Sequence, residues 1–165
     1  MPEPLESFAR RQLEDVDVLL RPMMARITEQ MPMVQELSAE LRLELQEWLR
    51  KITTSGLEIV ADGGSLAALG PMIEQMARRR RAQGIDLWQT LKAYELVQQA
   101  LLDALVTQLR GHPHEAQLFP RLTSRLLEFQ RVATTWVNSG YAGPTDPRGR
   151  DRGAEVQVLL EIRAG

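Results

Sequence analysis

The fold is decided by residues 76–109, which read MARRRRAQGIDLWQTLKAYELVQQALLDALVTQL. This stretch predicts the end of one helix, a left-handed stop at Gly84, and a long second helix that Asp86 caps and that runs to about Arg110. Gln89, three residues after Asp86, completes a capping-box pattern. The apolar residues of the second helix extend to more than one face, which is typical of a central helix. We therefore expect the other helices to pack around it.

Helical periodicity predicts two more helices before this stretch. The first should start at Leu5 and run to about Leu20, and Pro22 should end or kink it. A long helix should follow, with Ser38 as its N-cap and a stop at Asp62-Gly63-Gly64. Gly56 lies inside this helix and costs about 1 kcal/mol relative to alanine, so a break near it is a second interpretation.

The remaining helices are predicted from proline and glycine positions. Gly70 suits an N-cap with Pro71 as the first helical residue, and the last helix should start between Pro113 and Pro120 and end near Gly140. Residues 141–165 contain a linker rich in glycine, proline and charge, then the alternating tail EVQVLLEI. This tail is disordered, pairs with another copy, or begins a further domain. We predict an all-α bundle of five to seven helices over residues 1–140, with a flexible C-terminal extension at 141–165.

Composition narrows the class of protein. The chain has 165 residues, a formal net charge of −2 and no cysteine. Without cysteine there are no disulfides, no thiolate catalysis and no cysteine-ligated zinc. The charge gives no reason for direct nucleic-acid binding, and neither a signal peptide nor an apolar run of about 20 residues is found. We expect a soluble, cytoplasmic protein that contacts neither nucleic acid nor membrane.

The central helix carries the candidate binding residues. Its broad apolar face consists of Leu87, Leu91, Tyr94, Leu101, Leu102, Leu105 and Leu109. Gln98 lies at the centre of this face, and Trp88 and Glu95 lie on one flank. A buried amide without partners costs about 1–3 kcal/mol. Either Gln98 bonds to a neighbouring helix or a buried water, or it joins Trp88, Tyr94 and Glu95 as ligand-binding residues of a pocket between helices.

Two other features of this region have structural and functional interpretations. A small-residue face of Ala93, Val97, Ala100 and Ala104 would let another helix pack closely. The four arginines at 78–81 point in different directions around their helix, so they cannot form one phosphate-facing patch. They suit a solvated helix C-terminus, where Glu74 can pair with Arg78, and the alternative is an anion or partner contact by one or two of them.

Signs of catalysis and of a cofactor are missing. The only histidines, His112 and His114, fall in a predicted loop, where neither suits a haem ligand and a metal site with Glu115 would be weak. No phosphate-binding glycine loop or triad spacing is present. We therefore predict a protein that is not an enzyme and has no cofactor or metal.

Two stretches resemble a known family. They are ITEQMPMVQELSAELRLELQEWLRKITTSGLEIV, residues 27–60, and ARRRRAQGIDLWQTLKAYELVQQALLDAL, residues 77–105. They resemble the N-terminal helical sensor domain shared by RsbR-type stressosome regulators and PucR-type transcription activators, over about residues 10–140. The positions that match the family's turn and following helix are Arg80, Arg81, Ala82, Gly84, Leu87, Leu91, Ala93 and Tyr94.

The resemblance implies a globin-like fold without haem that serves as a dimeric input domain. In this family an output domain follows, either a helix-turn-helix or a STAS domain. In this chain, residues 96–99 replace the basic residues that usually follow the tyrosine in the family. No output domain is recognisable after Gly140. The chain is thus expected to be a fragment of a larger regulator or a free-standing sensor that acts on another protein.

Three functional hypotheses follow. The leading one is a homodimeric, non-enzymatic sensor that binds a small molecule or partner protein and controls a transcriptional or stress-response output. The second is a structural assembly domain without a ligand, which uses the alanine face and the C-terminal strand. The third is a haem-based sensor.

Overall fold

The structure is a computed structural model that describes residues 4–142. Its elements are α1 (Leu5–Glu14), α2 (Asp17–Gln30), a 3₁₀ turn (Pro32–Glu36), α3 (Ala39–Ala61), a second 3₁₀ turn (Leu66–Leu69), α4 (Gly70–Ala82), α5 (Leu87–Leu109) and α6 (Glu115–Ala142). These six helices, with no strand among the described residues, confirm the all-α prediction of five to seven helices. The globin-like arrangement stays an expectation. The predictions of a linker, a strand and a flexible tail fall almost wholly after Ala142, outside the described residues.

The central position predicted for α5 is met only in part. α2 and α6 pack on α5, but α4 lies along α6, α1 lies along α3, and α6 also contacts α1 and the second 3₁₀ turn. The capping box is present, because Gln89 N donates to Asp86 Oδ1 at 2.7 Å and Asp86 N donates to Gln89 Oε1 at 3.1 Å. Within residues 4–142 no helix is long and apolar enough to cross a membrane.

The turn between α4 and α5 forms as the sequence predicts. Gly84 adopts a φ of 79°, in the left-handed region that favours glycine. Ile85 N donates to Arg80 O at 3.0 Å, and Gly84 N donates to Arg81 O at 2.9 Å. These two bonds form a Schellman motif, which satisfies the last carbonyls of α4 and sets the direction in which α5 leaves.

The predicted boundary of the first helix is wrong. The chain leaves helical conformation at Asp15, where φ is −144° and ψ is 77°, and α2 then continues through Pro22. Pro22 lies in the second turn of α2, where its missing N–H removes a single hydrogen bond. The break at Asp15 has a tertiary cause, because α1 packs along α3 whereas α2 packs on α5.

Close packing of α4 on α6 explains why residues 70 and 140 are glycines. Gly70 is the first residue of α4 and not its N-cap as predicted, with φ −51° and ψ −53°. A Cβ there would lie 2.1 Å from Trp136 Cε2, and a Cβ at Gly140 would lie 2.6 Å from that of Ala77. By contrast, α3 runs unbroken through Gly56, whose Cβ would meet only ordinary contacts.

The buried face of α5 differs from the leucine-rich face expected. The most buried residues of α5 are Thr90, Tyr94, Leu96, Val97, Ala100, Ala104, Leu105 and Leu109. Leu87, Leu91, Leu101 and Leu102 are only half-buried. The buried set includes Thr90, Ala100 and Ala104, whose small side chains allow close approach of the helices that pack on α5.

Candidate functional site

A cleft of about 190 Å³ lies between α2, the Pro32–Glu36 turn, α3, α4 and α5. We call it the α3–α5 cleft. Its apolar lining consists of Ile27, Met31, Met33, Val34, Leu37, Leu41, Leu45, Met76, Ile85, Ala93 and Val97. Its polar or partly polar lining consists of Trp48, Arg80, Gln83, Gln89, Thr90 and Tyr94. A mostly apolar concave surface with a few polar groups is the usual composition of a small-molecule site.

Two aromatic side chains in the cleft have polar atoms without partners. Trp48 on α3 and Tyr94 on α5 pack edge to face, with ring centroids 5.2 Å apart. They are 8% and 6% exposed, and neither Trp48 Nε1 nor the Tyr94 hydroxyl makes a hydrogen bond to the described residues. Burial raises the pKa of Tyr94, so its hydroxyl stays protonated and can donate. Each unpaired group costs about 1–3 kcal/mol, which a suitable ligand would offset.

Arg80 on α4 brings a positive charge to the same cleft. Its side chain is 19% exposed, its Nη1 donates to Gln83 Oε1 at 2.6 Å, and the same atom lies 3.8 Å from Glu44 Oε1. Burial lowers the pKa of Arg80, and the nearby Glu44 carboxylate opposes that effect. Arginine nevertheless stays protonated in proteins. Among the residues that the structure describes, Arg80 is the only formally charged side chain in the cleft lining.

A hydrogen-bonded chain joins the cleft to the end of α6. Tyr141 on α6 donates its hydroxyl hydrogen to Ile85 O at 2.7 Å. Its oxygen lies 2.6 Å from Thr90 Oγ1, which must then be the donor of that second bond. Ile85 and Thr90 both line the cleft, so the last turn of α6 is fixed to two residues of its wall.

The four residues predicted to bind a ligand do not meet in one place. Tyr94 lines the cleft, whereas Trp88 is 66% exposed, with the Lys92 ammonium 4.8 Å from its ring centroid. Glu95 is exposed and pairs with Lys92 at 3.3 Å. Gln98 Nε2 donates to Leu126 O at 3.1 Å, which is the hydrogen bond to a neighbouring helix that one interpretation required. Ligand contact by any of the four stays a prediction.

The sequence pattern did not predict Trp48 in the cleft, and it indicated Arg80 only as one of four arginines of which one or two could contact an anion or a partner. Nothing in the spacing of Trp48 distinguishes it from a core residue of α3. Arg80 did carry a signal, because Met76 and Arg80 are spaced i, i+4 and so share one face of α4. Both residues line the cleft, and Arg80 is the one of the four arginines that does so.

The neighbouring arginines have different partners. Arg78 pairs with Glu74, as the i, i+4 spacing predicted. Arg79 is 59% exposed, and its Nε lies 2.7 Å from Glu44 Oε1. Glu44 thus lies between Arg79 and Arg80. Together, these three side chains carry one net positive charge beside the cleft.

The two histidines lie elsewhere. His112 packs edge to face on Phe8, with ring centroids 6.3 Å apart, and neither His112 nor His114 lines the α3–α5 cleft. In the part of the chain that the structure describes, no three histidine, aspartate or glutamate residues are grouped to hold a metal ion.

Comparison with known proteins identifies one family. Residues 17–156 match the family described as the RsbT co-antagonist protein rsbRD N-terminal domain. No curated protein and no solved structure matches the sequence. The family match covers most of the chain and contains every residue that lines the α3–α5 cleft.

Proposed function

Because the chain belongs to the family of the RsbT co-antagonist protein rsbRD N-terminal domain, we propose that it is a regulatory input module of stress signalling. It binds a small molecule in the α3–α5 cleft and transmits the occupancy of that cleft to an output. The output is a domain of the same polypeptide or a partner protein, and it acts on transcription or on a stress response.

One observation supports a ligand in this cleft above all others. Trp48 Nε1 and the Tyr94 hydroxyl are buried, belong to residues that line the mostly apolar cleft, and lack hydrogen-bond partners among the described residues. Buried polar groups are normally paired, and exceptions call for an explanation such as a ligand or a bound water. A ligand that accepts hydrogen bonds from both groups would offset the free-energy cost of leaving them unpaired.

Tyr141 offers a route for transmission. A ligand that shifts α5 relative to α4 would alter the contacts of Ile85 and Thr90, which hold the Tyr141 hydroxyl. Small shifts at a bound site are commonly amplified through packed helices with two discrete arrangements. The last turn of α6 would then change position or stability, and whatever α6 contacts or leads into would respond.

The module is further proposed to be a non-enzymatic, cytoplasmic homodimer without direct contact to nucleic acid or membrane. Its net charge of −2 supports the lack of contact with nucleic acid. The competing hypothesis of a ligand-free assembly domain relied on the alanine face. Ala100 and Ala104 are buried by the chain's own helices, so that part of the face is not available to a second protein.

Filling the cleft tests the proposal. We expect Ala93→Phe, which places a ring in the cleft, to abolish the stress-dependent output in the native host while the protein remains helical by circular dichroism. Ala116→Phe is the matched control, because Ala116 is exposed on α6 and does not line the cleft.

Native mass spectrometry of protein purified from the host gives the second readout. A bound small molecule should be present in the wild type and in Ala116→Phe, and missing from Ala93→Phe. An unchanged stress response in folded Ala93→Phe protein would show that the cleft is not the sensing site.

A further inference from the structure

We propose that the ligand of the α3–α5 cleft is a small apolar monocarboxylate. Its carboxylate is bound by the Arg80 guanidinium together with the Trp48 indole N–H and the Tyr94 hydroxyl, and its hydrocarbon part lies among the aliphatic side chains. This inference rests on the proposed function, because it names the ligand class of the same cleft.

The uncommitted polar groups of the cleft are donors. Trp48 Nε1 can only donate, Arg80 has no acceptor, and the buried Tyr94 hydroxyl stays protonated. Of the other polar side chains of the lining, Thr90 donates its hydroxyl hydrogen to Tyr141, and the two glutamines use their oxygens within the protein. Gln83 Oε1 accepts from Arg80, and Gln89 Oε1 accepts from the backbone of Asp86, which leaves their amide N–H₂ groups. A ligand that matches this set must present acceptors.

The charge of the cleft selects an anion. Its lining contains one guanidinium and no carboxylate. Glu44, the nearest acidic group to Arg80, lies closer to Arg79, at 2.7 Å against 3.8 Å. The Nε and Nη2 atoms of Arg80 make no hydrogen bond or ion pair to the described residues. A carboxylate can accept a bidentate pair of bonds from such a guanidinium.

The rest of the lining limits the ligand to one charge and a hydrocarbon body. Beyond Arg80 and the polar groups near it, the walls are formed by leucine, isoleucine, valine and methionine side chains. A second charged group would be desolvated there without a partner. The volume of about 190 Å³ slightly exceeds the roughly 150 Å³ of an apolar cavity that binds benzene. A medium-chain acid or an aryl acid is of the right size.

Octanoate and octan-1-ol are suitable probes, because they share a chain length and differ in charge. Binding of each to the full chain is measured by isothermal titration calorimetry at pH 7. Arg80→Gln removes the charge from the cleft. Arg78→Gln is the matched control, since Arg78 lies on the same helix, does not line the cleft and pairs with Glu74 instead of Glu44. The Trp48 indole N–H resonance, assigned with Trp48→Phe, reports whether the probe occupies the cleft.

We expect octanoate to bind at least roughly tenfold more tightly than octan-1-ol and to shift the Trp48 indole resonance. Arg80→Gln should remove that preference, and Arg78→Gln should keep it. Tyr94→Phe provides a second variant in case Arg80→Gln does not fold, and it should weaken octanoate more than octan-1-ol.

Three results would overturn the ligand class. One is equal or tighter binding of octan-1-ol in the wild type, which would leave the cleft as a ligand site and so leave the proposed function standing. Another is unchanged octanoate binding in folded Arg80→Gln protein. If neither probe binds, the carboxylate class also fails, and the Ala93→Phe experiment decides separately whether the cleft senses anything.

Discussion

Tyr94 and Tyr141 carry the same hydroxyl group in opposite situations. The Tyr94 hydroxyl is buried in the α3–α5 cleft without a partner, whereas the Tyr141 hydroxyl bonds to both Ile85 O and Thr90 Oγ1. A buried hydroxyl without a partner lowers stability, and a paired one contributes a modest gain. The two tyrosines therefore allow a direct test of whether the cleft is built for a ligand or for stability.

We predict that Tyr94→Phe raises the free energy of unfolding of the ligand-free protein by about 1 kcal/mol, because it removes an unpaired polar atom. Tyr141→Phe is the comparison and should lower it by about 1 kcal/mol, because Ile85 O and Thr90 Oγ1 lose their partner. Urea unfolding at pH 7 followed by circular dichroism measures both. A loss of stability in Tyr94→Phe equal to that of Tyr141→Phe would mean that the Tyr94 hydroxyl is already satisfied.

At the scale of elements, the contact between α4 and α6 depends on glycines at two points. A side chain at Gly70 would collide with Trp136, and one at Gly140 would lie 2.6 Å from the Ala77 Cβ and 2.9 Å from Glu74 O. Glu74 O is backbone and cannot move as a side chain end can. The α4–α6 contact is thus set by the absence of side chains, and it places Tyr141 beside the cleft.

This contact predicts opposite effects for the same substitution in two helices. Gly140→Ala should lower the free energy of unfolding by about 1–3 kcal/mol, because the added methyl group overpacks the contact. Gly56→Ala should raise it by up to about 1 kcal/mol, because the nearest neighbour of its Cβ, Leu69 Cδ1, is 3.9 Å away and alanine favours the helix. Chemical denaturation of both variants measures the difference, and a stabilised Gly140→Ala protein would disprove the close approach.

At the scale of the whole molecule, one cleft is connected to most of the helices. α2, α3, α4 and α5 form its walls, and α6 reaches it through Tyr141. Arg80 lies on α4 and Tyr94 on α5, so a ligand that binds both fixes the position of these two helices. In the free protein no ligand holds α4 and α5 together. Ligand binding can therefore change how often α6 adopts each of its arrangements.

We predict that bound octanoate slows amide hydrogen exchange in the last turn of α6, residues 138–142. Tyr141→Phe should keep octanoate affinity within about threefold, because Tyr141 does not line the cleft, and should lose the change in exchange. Hydrogen exchange with mass spectrometry measures this. The same slowing in wild type and Tyr141→Phe would exclude the tyrosine as the connection.

The sequence by itself determined the local features of the fold. The capping box of Asp86 and Gln89, the Ser38 cap and the left-handed Gly84 turn each follow from residues within a few positions of one another. Capping and turn formation depend on nearby backbone groups, so they can be recognised without knowledge of distant contacts.

Only the tertiary structure decided where the helices break and what the cleft contains. The break at Asp15, the glycine at 70 opposite Trp136, and the meeting of Trp48, Arg80 and Tyr94 each depend on residues far apart in sequence. Of the residues predicted for the site, the structure brings Tyr94 into this cleft and pairs Gln98 with Leu126 O. Periodicity identifies the inward face of each helix, but which side chains from different helices share a space is set by how those helices pack.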